Sequence, residues 1–123
     1  MKRNMKMSES KVQREWQREE VVILVTEYFR TKNLSSDEIS KSHETISRFL
    51  RQREEIITGK PVSNVFRNYA GVHMQSGRLR CLDPDTNYSG MQGTKLQKKV
   101  VQEYLTNPQK IIAEANVIYK RYE

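Results

Sequence analysis

Five consecutive apolar residues, Val21–Val25, lie inside the stretch WQREEVVILVTEYFR and limit what this chain can fold into more than any other feature. Successive side chains on a helix stand about 100° apart, so the run gives a helix over 16–30 a broad apolar surface from Val21 to Phe29. Glu15, Glu19 and Glu20 fall in its first turns, where the helix dipole favours negative charge. Such a helix belongs at the centre of a core. No apolar run is longer, whereas a membrane span needs roughly 18 residues, and the basic N-terminus lacks the apolar segment of a secretion signal. A soluble, cytoplasmic protein is expected. The single cysteine, Cys81, excludes an internal disulfide and a cysteine zinc cluster and agrees with a reducing compartment.

With 123 residues there is room for one modest core. Residues 1–13 are polar and charged without a period and are expected to be a disordered basic tail. Residues 14–123 are expected to form a single all-α, five-helix, helix-turn-helix-like domain. After the central helix, Ser35 and Glu38 make a capping-box pattern, and a helix over about 36–53 places Ile39, His43, Ile46, Phe49 and Leu50 on one stripe, with Lys41, Arg48 and Arg51 opposite. The linker EEIITGKPV, with Gly59 and Pro61, leads to Ser63, a suitable N-cap for a helix over 63–76. Residues 78–92 are rich in turn formers, and Arg78–Leu82 alternate weakly, which predicts a loop or short hairpin there. Two more helices are expected over 94–107, with Leu96, Val100 and Tyr104 in step, and over 108–122, with Pro108 in the first turn and Ile111, Ala115, Ile118 and Tyr122 facing the core.

Charge is uneven along the chain. Residues 41–99 carry eleven Lys/Arg against five Asp/Glu, most of the net +7, while the flanks are near neutral. A basic segment between neutral ones points to a polyanion. Nucleic acid is favoured over a membrane surface, because no basic stretch has the aromatic and leucine face of an interfacial helix. Projected as a helix, 63–76 gathers Val65, Phe66, Tyr69, Ala70, Val72 and His73 on an apolar arc and Asn64, Arg67, Asn68, Gly71 and Gln75 on the opposite one. Arg pairs with guanine and Asn or Gln with adenine through two hydrogen bonds, and Gly71 would let the backbone come close to a groove. These five residues are the expected base-reading set. Lys41, Arg48, Arg51, Arg78, Arg80, Lys95, Lys98 and Lys99 flank them as expected phosphate contacts.

Catalytic and metal chemistry find little to stand on. His43 and His73 fall on apolar arcs, with no cysteine or carboxylate pair at ligand spacing, and are expected to be buried and structural. The adjacent pairs Glu19/Glu20 and Glu54/Glu55 diverge by about 100° on a helix and are expected to be solvated charges. YSGMQG lacks the spacing of a phosphate-binding loop, and Cys81 has no base at readable spacing.

The stretch FRNYAGVHMQSGRLRCLDP resembles the pattern F-R-[NS]-P-x-[GA]-V-x-M-K-L-x-N-[FI]-x-x-[LF]-D-P of the N-terminal, DNA-binding region of bacterial HNH restriction-type endonucleases. The resemblance runs over about 16–119: Trp16 with Glu19 and Glu20 matches the opening of the family's first helix, and Leu50, Arg51 and Arg53 match the end of its second. Tyr88–Gly93, Tyr104, Ala115 and Ile118 match the glycine loop and last two helices. Tyr69, Gln75 and Arg78 depart from the family's proline, lysine and asparagine, so a base preference does not carry over. No residue matches the catalytic HNH domain, so the resemblance implies the targeting module without the nuclease, whether a stand-alone protein such as phages encode or an excised domain. The expectation is a non-catalytic domain that binds double-stranded DNA, without cofactor, metal or small-molecule substrate. The rival expectation is a small regulator that reuses this fold on a nucleic-acid-processing protein.

Overall fold

A computed structural model describes residues 13–123, which form five helices and no strand. They are α1 (Arg18–Thr31), α2 (Ser36–Thr58), α3 (Tyr69–Leu82), α4 (Lys95–Thr106) and α5 (Pro108–Arg121). α1 packs against all four others, the consecutive pairs among α2, α3, α4 and α5 pack in turn, and Phe49 of α2 meets Tyr119 of α5 with ring centroids 4.8 Å apart, so the four surround a central rod. Val21–Val25 are accordingly each buried to 1% exposure or less. Facing them are Ile46 and Leu50 of α2, Val72 and Leu79 of α3, Val100 and Val101 of α4, and Ile111, Ala115 and Ile118 of α5. Burying each large aliphatic side chain contributes about 1.5–3 kcal/mol. Phe29 stacks on Tyr104 with centroids 4.4 Å apart and closes the α1–α4 end of the core.

The helix ends follow local chemistry. Ser35 Oγ accepts from Glu38 N, and Thr94 and Gln97 cap each other reciprocally at the start of α4. α5 opens with Pro108, whose missing N–H costs nothing at a first helical position. α2 runs five residues past the expected Arg53 and stops at Gly59, whose φ of 72° is a left-handed conformation that favours glycine.

Several expectations need correction. The helix placed at 63–76 is a turn over 64–67 followed by α3, and its N-cap is Asn68, not Ser63. Arg78–Leu82, expected to be extended, is the last part of α3, and only 83–94 is loop. His43 is buried as expected, but His73 is exposed, because α3 faces the core with Val72 and Leu79 and His73 stands about 100° around the helix from Val72. Of the four paired acids only Glu55 is exposed as expected. Glu20 is completely buried, Glu19 accepts from Arg53 Nε at 2.9 Å and also pairs with Arg121, and Glu54 pairs with Arg14. The tail expected over 1–13 lies outside the described residues except for Gln13, whose Nε2 donates to Val65 O at 3.0 Å.

Candidate nucleic-acid interface

The segment between α2 and α3 carries the residues that sequence periodicity assigned to base reading. Its backbone is pinned from α2: Arg51 Nη1 donates to Ser63 O at 2.9 Å and Phe66 O at 2.7 Å, and Ser47 Oγ donates to Arg67 O at 2.7 Å. Arg67 itself has φ 45°, a left-handed conformation no helix interior permits, and this turns its side chain inward. Its guanidinium lies 4.4 Å from the Phe66 ring centroid and 4.7 Å from that of Trp16, and Nε donates to Glu20 Oε2 at 2.8 Å. Glu20 Oε1 accepts from Arg14 Nη1 at 2.6 Å and from Gln17 N at 2.8 Å. Burial alone would raise the Glu20 pKa, but hydrogen bonds from Arg67, Arg14 and the Gln17 amide outweigh it and hold the carboxyl below its usual range. Arg67, 3% exposed, is the counter-ion of a buried carboxylate, so it cannot read a base.

The other four expected readers fare little better. Asn68 Oδ1 accepts from Gly71 N at 2.8 Å to cap α3, and a Cβ on Gly71 would meet that same oxygen at 3.1 Å, so the glycine serves the cap. Gln75 Oε1 accepts from Gln97 Nε2 at 2.7 Å and ties α3 to α4. Asn64 is exposed in the turn. The outward side of α3 instead carries Tyr69, Ala70, His73 and Met74, all exposed, and Gly77 lies under Met91. Arg67, Asn68, Gly71 and Gln75 do line one cavity of about 240 Å³, but Arg67, Asn68 Oδ1 and Gln75 Oε1 are engaged in hydrogen bonds within the fold.

The expected phosphate contacts separate into three kinds. Arg51 pins the turn as described, Arg78 Nη1 donates to Gln92 O at 2.6 Å and holds the 83–94 loop, and Arg80 lies 4.3 Å from the Tyr88 ring centroid. These three are half-buried and structural in part. Lys41 and Arg48 are exposed on α2, with exposed Glu44 between them in sequence. Lys95, Lys98 and Lys99 are all exposed in the first turns of α4, and their i, i+3, i+4 spacing puts them on one face. Lys99 Nζ also meets Glu103 Oε2 at 2.8 Å, and hydrogen bonds from Arg18 and Lys99 push Glu103 down to about 2. An exposed pair of this kind stabilises little, so a phosphate can displace the carboxylate. The structure thus brings the α4 trio together on an exposed face, whereas four of the five predicted readers surround a small cavity with most of their hydrogen-bonding groups engaged internally.

His43 and His73 meet Nδ1 to Nδ1 at 3.2 Å between α2 and α3. One must donate and the other accept. Burial, with the charges of His73 and Arg80, lowers the His43 pKa and keeps that ring neutral. Among the described residues, no group of three or more His, Cys, Asp or Glu side chains suited to a metal gathers, and no helix is long and apolar enough to cross a membrane. Sequence reasoning missed Arg14 and Glu20 as partners of Arg67. The one available signal was Glu20 itself, an acid placed directly against the run that has to be buried.

No protein-family model, curated protein or solved structure matches this chain.

Proposed function

We propose that this domain binds double-stranded DNA without catalysis, through phosphate contacts from the exposed face of α4. The observation that carries the reading is the cluster of Lys95, Lys98 and Lys99 on one face, in a chain whose positive excess is concentrated between residues 41 and 99. Lysines with little intramolecular competition release counterions when they neutralise phosphates, which gives affinity without sequence selectivity. Lys41 and Arg48 on α2 supply a second, smaller basic point. The resemblance of residues 66–84 to the targeting region of HNH endonucleases favours DNA as the polyanion. With Arg67 and the Asn68 cap engaged internally, the reading assigns those two no base contact.

The test is duplex binding by fluorescence anisotropy at low salt. The triple variant Lys95→Ala/Lys98→Ala/Lys99→Ala should lose most of the affinity, for all duplex sequences alike, and keep its fold, since none of the three is buried. Unchanged affinity in that variant would remove the α4 face from the account.

A second reading has its own observation. Val65, Tyr69 and Met74 are 39–47% exposed around the outer side of α3, a small apolar area with an adaptable methionine of the kind that protein partners cover. In that reading the domain is a regulator that docks on a nucleic-acid-processing protein. Failure of the wild-type chain to bind any duplex at low salt would leave this as the surviving alternative.

A further inference from the structure

Beside the α4 lysines a cavity of about 500 Å³ opens between three elements. The segment before α1 supplies Glu15 and Trp16, α3 supplies Gln75 and Arg78, and α4 supplies Lys95 and Leu96. Arg78 is anchored through Nη1 on Gln92 O, yet its Nε is buried with no hydrogen-bond partner among the described residues. Its Nη2 also makes no hydrogen bond among the described residues and, unlike Nε, is not buried, so it is the guanidinium nitrogen free to meet an acceptor from outside. Gln75 uses its Oε1 on Gln97 and keeps its own Nε2 donors uncommitted among the described residues. Trp16 is half-buried and braced by the Arg67 guanidinium 4.7 Å from its ring centroid, so the indole is held in place.

We propose that this cavity takes one nucleotide, with Arg78 and Lys95 on its phosphate and Trp16, Gln75 and Glu15 around its base. Guanidinium and ammonium groups are the usual phosphate partners. A fixed indole offers an apolar surface to a base, an amide donates to ring nitrogens or carbonyls, and a carboxylate accepts from an exocyclic amine. Glu15 also repels phosphate and so orients the ligand. The volume lies in the range of small-molecule sites. In its strand-bound form the inference rests on the DNA-binding reading, since the occupant is then a nucleotide turned out of the duplex beside the α4 lysines. A free mononucleotide presents the same chemistry.

Trp16 is the only tryptophan, so its emission reports on the cavity directly. Adenosine and cytidine monophosphates should change Trp16 emission saturably, at concentrations where inorganic phosphate does not. Lys95→Ala should weaken that binding by about fivefold or more, through loss of a charged hydrogen bond. A duplex carrying 2-aminopurine should brighten on binding if the strand supplies the nucleotide. Mononucleotide binding without that brightening assigns the cavity to free nucleotides and supports the proposal. Mononucleotide binding without duplex binding keeps the cavity and removes the DNA reading. Phosphate that competes as well as a mononucleotide reduces the site to an anion hole and overturns the proposal. Duplex binding by anisotropy, with silent Trp16, dark 2-aminopurine and no mononucleotide binding, overturns the cavity and leaves the basic face standing. If neither ligand binds, both fall.

Discussion

Arg67 shows how far a side chain's chemistry depends on one backbone angle. Within a regular helix it would share a polar face with Asn68 and Gln75; at φ 45° it enters the interior and neutralises Glu20. Arg67→Ala would leave a fully buried carboxylate with Arg14 as its remaining cation, and breaking a buried pair in this way costs about 3–5 kcal/mol. Urea denaturation should show a loss of that size, and the folded variant should bind duplex as the wild type does. A stable variant with altered DNA preference would contradict the assignment. Arg67 gave no sign of this role in sequence, and Glu20 gave only its place directly against the Val21–Val25 run. Glu20 looked like an ordinary acid in a first helical turn, and a positive φ at a non-glycine residue leaves no compositional trace.

Among the elements, most helices were legible because caps and periods agreed. Ser35, Thr94 and Pro108 all mark true starts, and the Val21–Val25 run identified the central helix. α3 was misplaced because its own pattern is weak: it buries only Val72 and Leu79 and exposes Ala70 and Met74, so the strong apolar residues of the preceding turn, Val65 and Phe66, drew the helix forward. Ser63 and Asn68 are both good cap residues, and sequence alone does not choose between them. The structure does, and it predicts that Asn68→Ala destabilises by about 0.5–2 kcal/mol. Ser63→Ala, at an exposed position whose contribution is its backbone carbonyl to Arg51, should be close to neutral. Equal costs by thermal melting would contradict the helix start at Tyr69. The same displacement of α3 explains why the basic residues were legible as a set while the reading face was not: charge is a property of composition, but a face exists only once the helix start is known.

For the whole molecule, titration and salt dependence separate the forces that hold the fold from those that face outward. His43 has a folded pKa below its usual 6.5, so its contribution to stability is complete above pH 6.5 and is lost as pH falls through the lowered value. Glu20, Asp83, Glu103 and Glu114 also have lowered values, so their contributions are complete above about 4.5 and are lost as pH falls further. The melting temperature should therefore be flat near neutrality, decline below pH 6.5 and drop more steeply below 4.5. A decline confined to the acid range would contradict the buried neutral His43. The outward face is tested by the slope of log K against log salt for a short duplex, measured for the wild type and for Lys95→Ala/Lys98→Ala/Lys99→Ala. Each lost phosphate contact should reduce the slope by about 0.9, so the triple variant should be shallower by about 2.7 and weaker on every sequence. An identical slope in the two proteins would contradict α4 as the DNA-binding face.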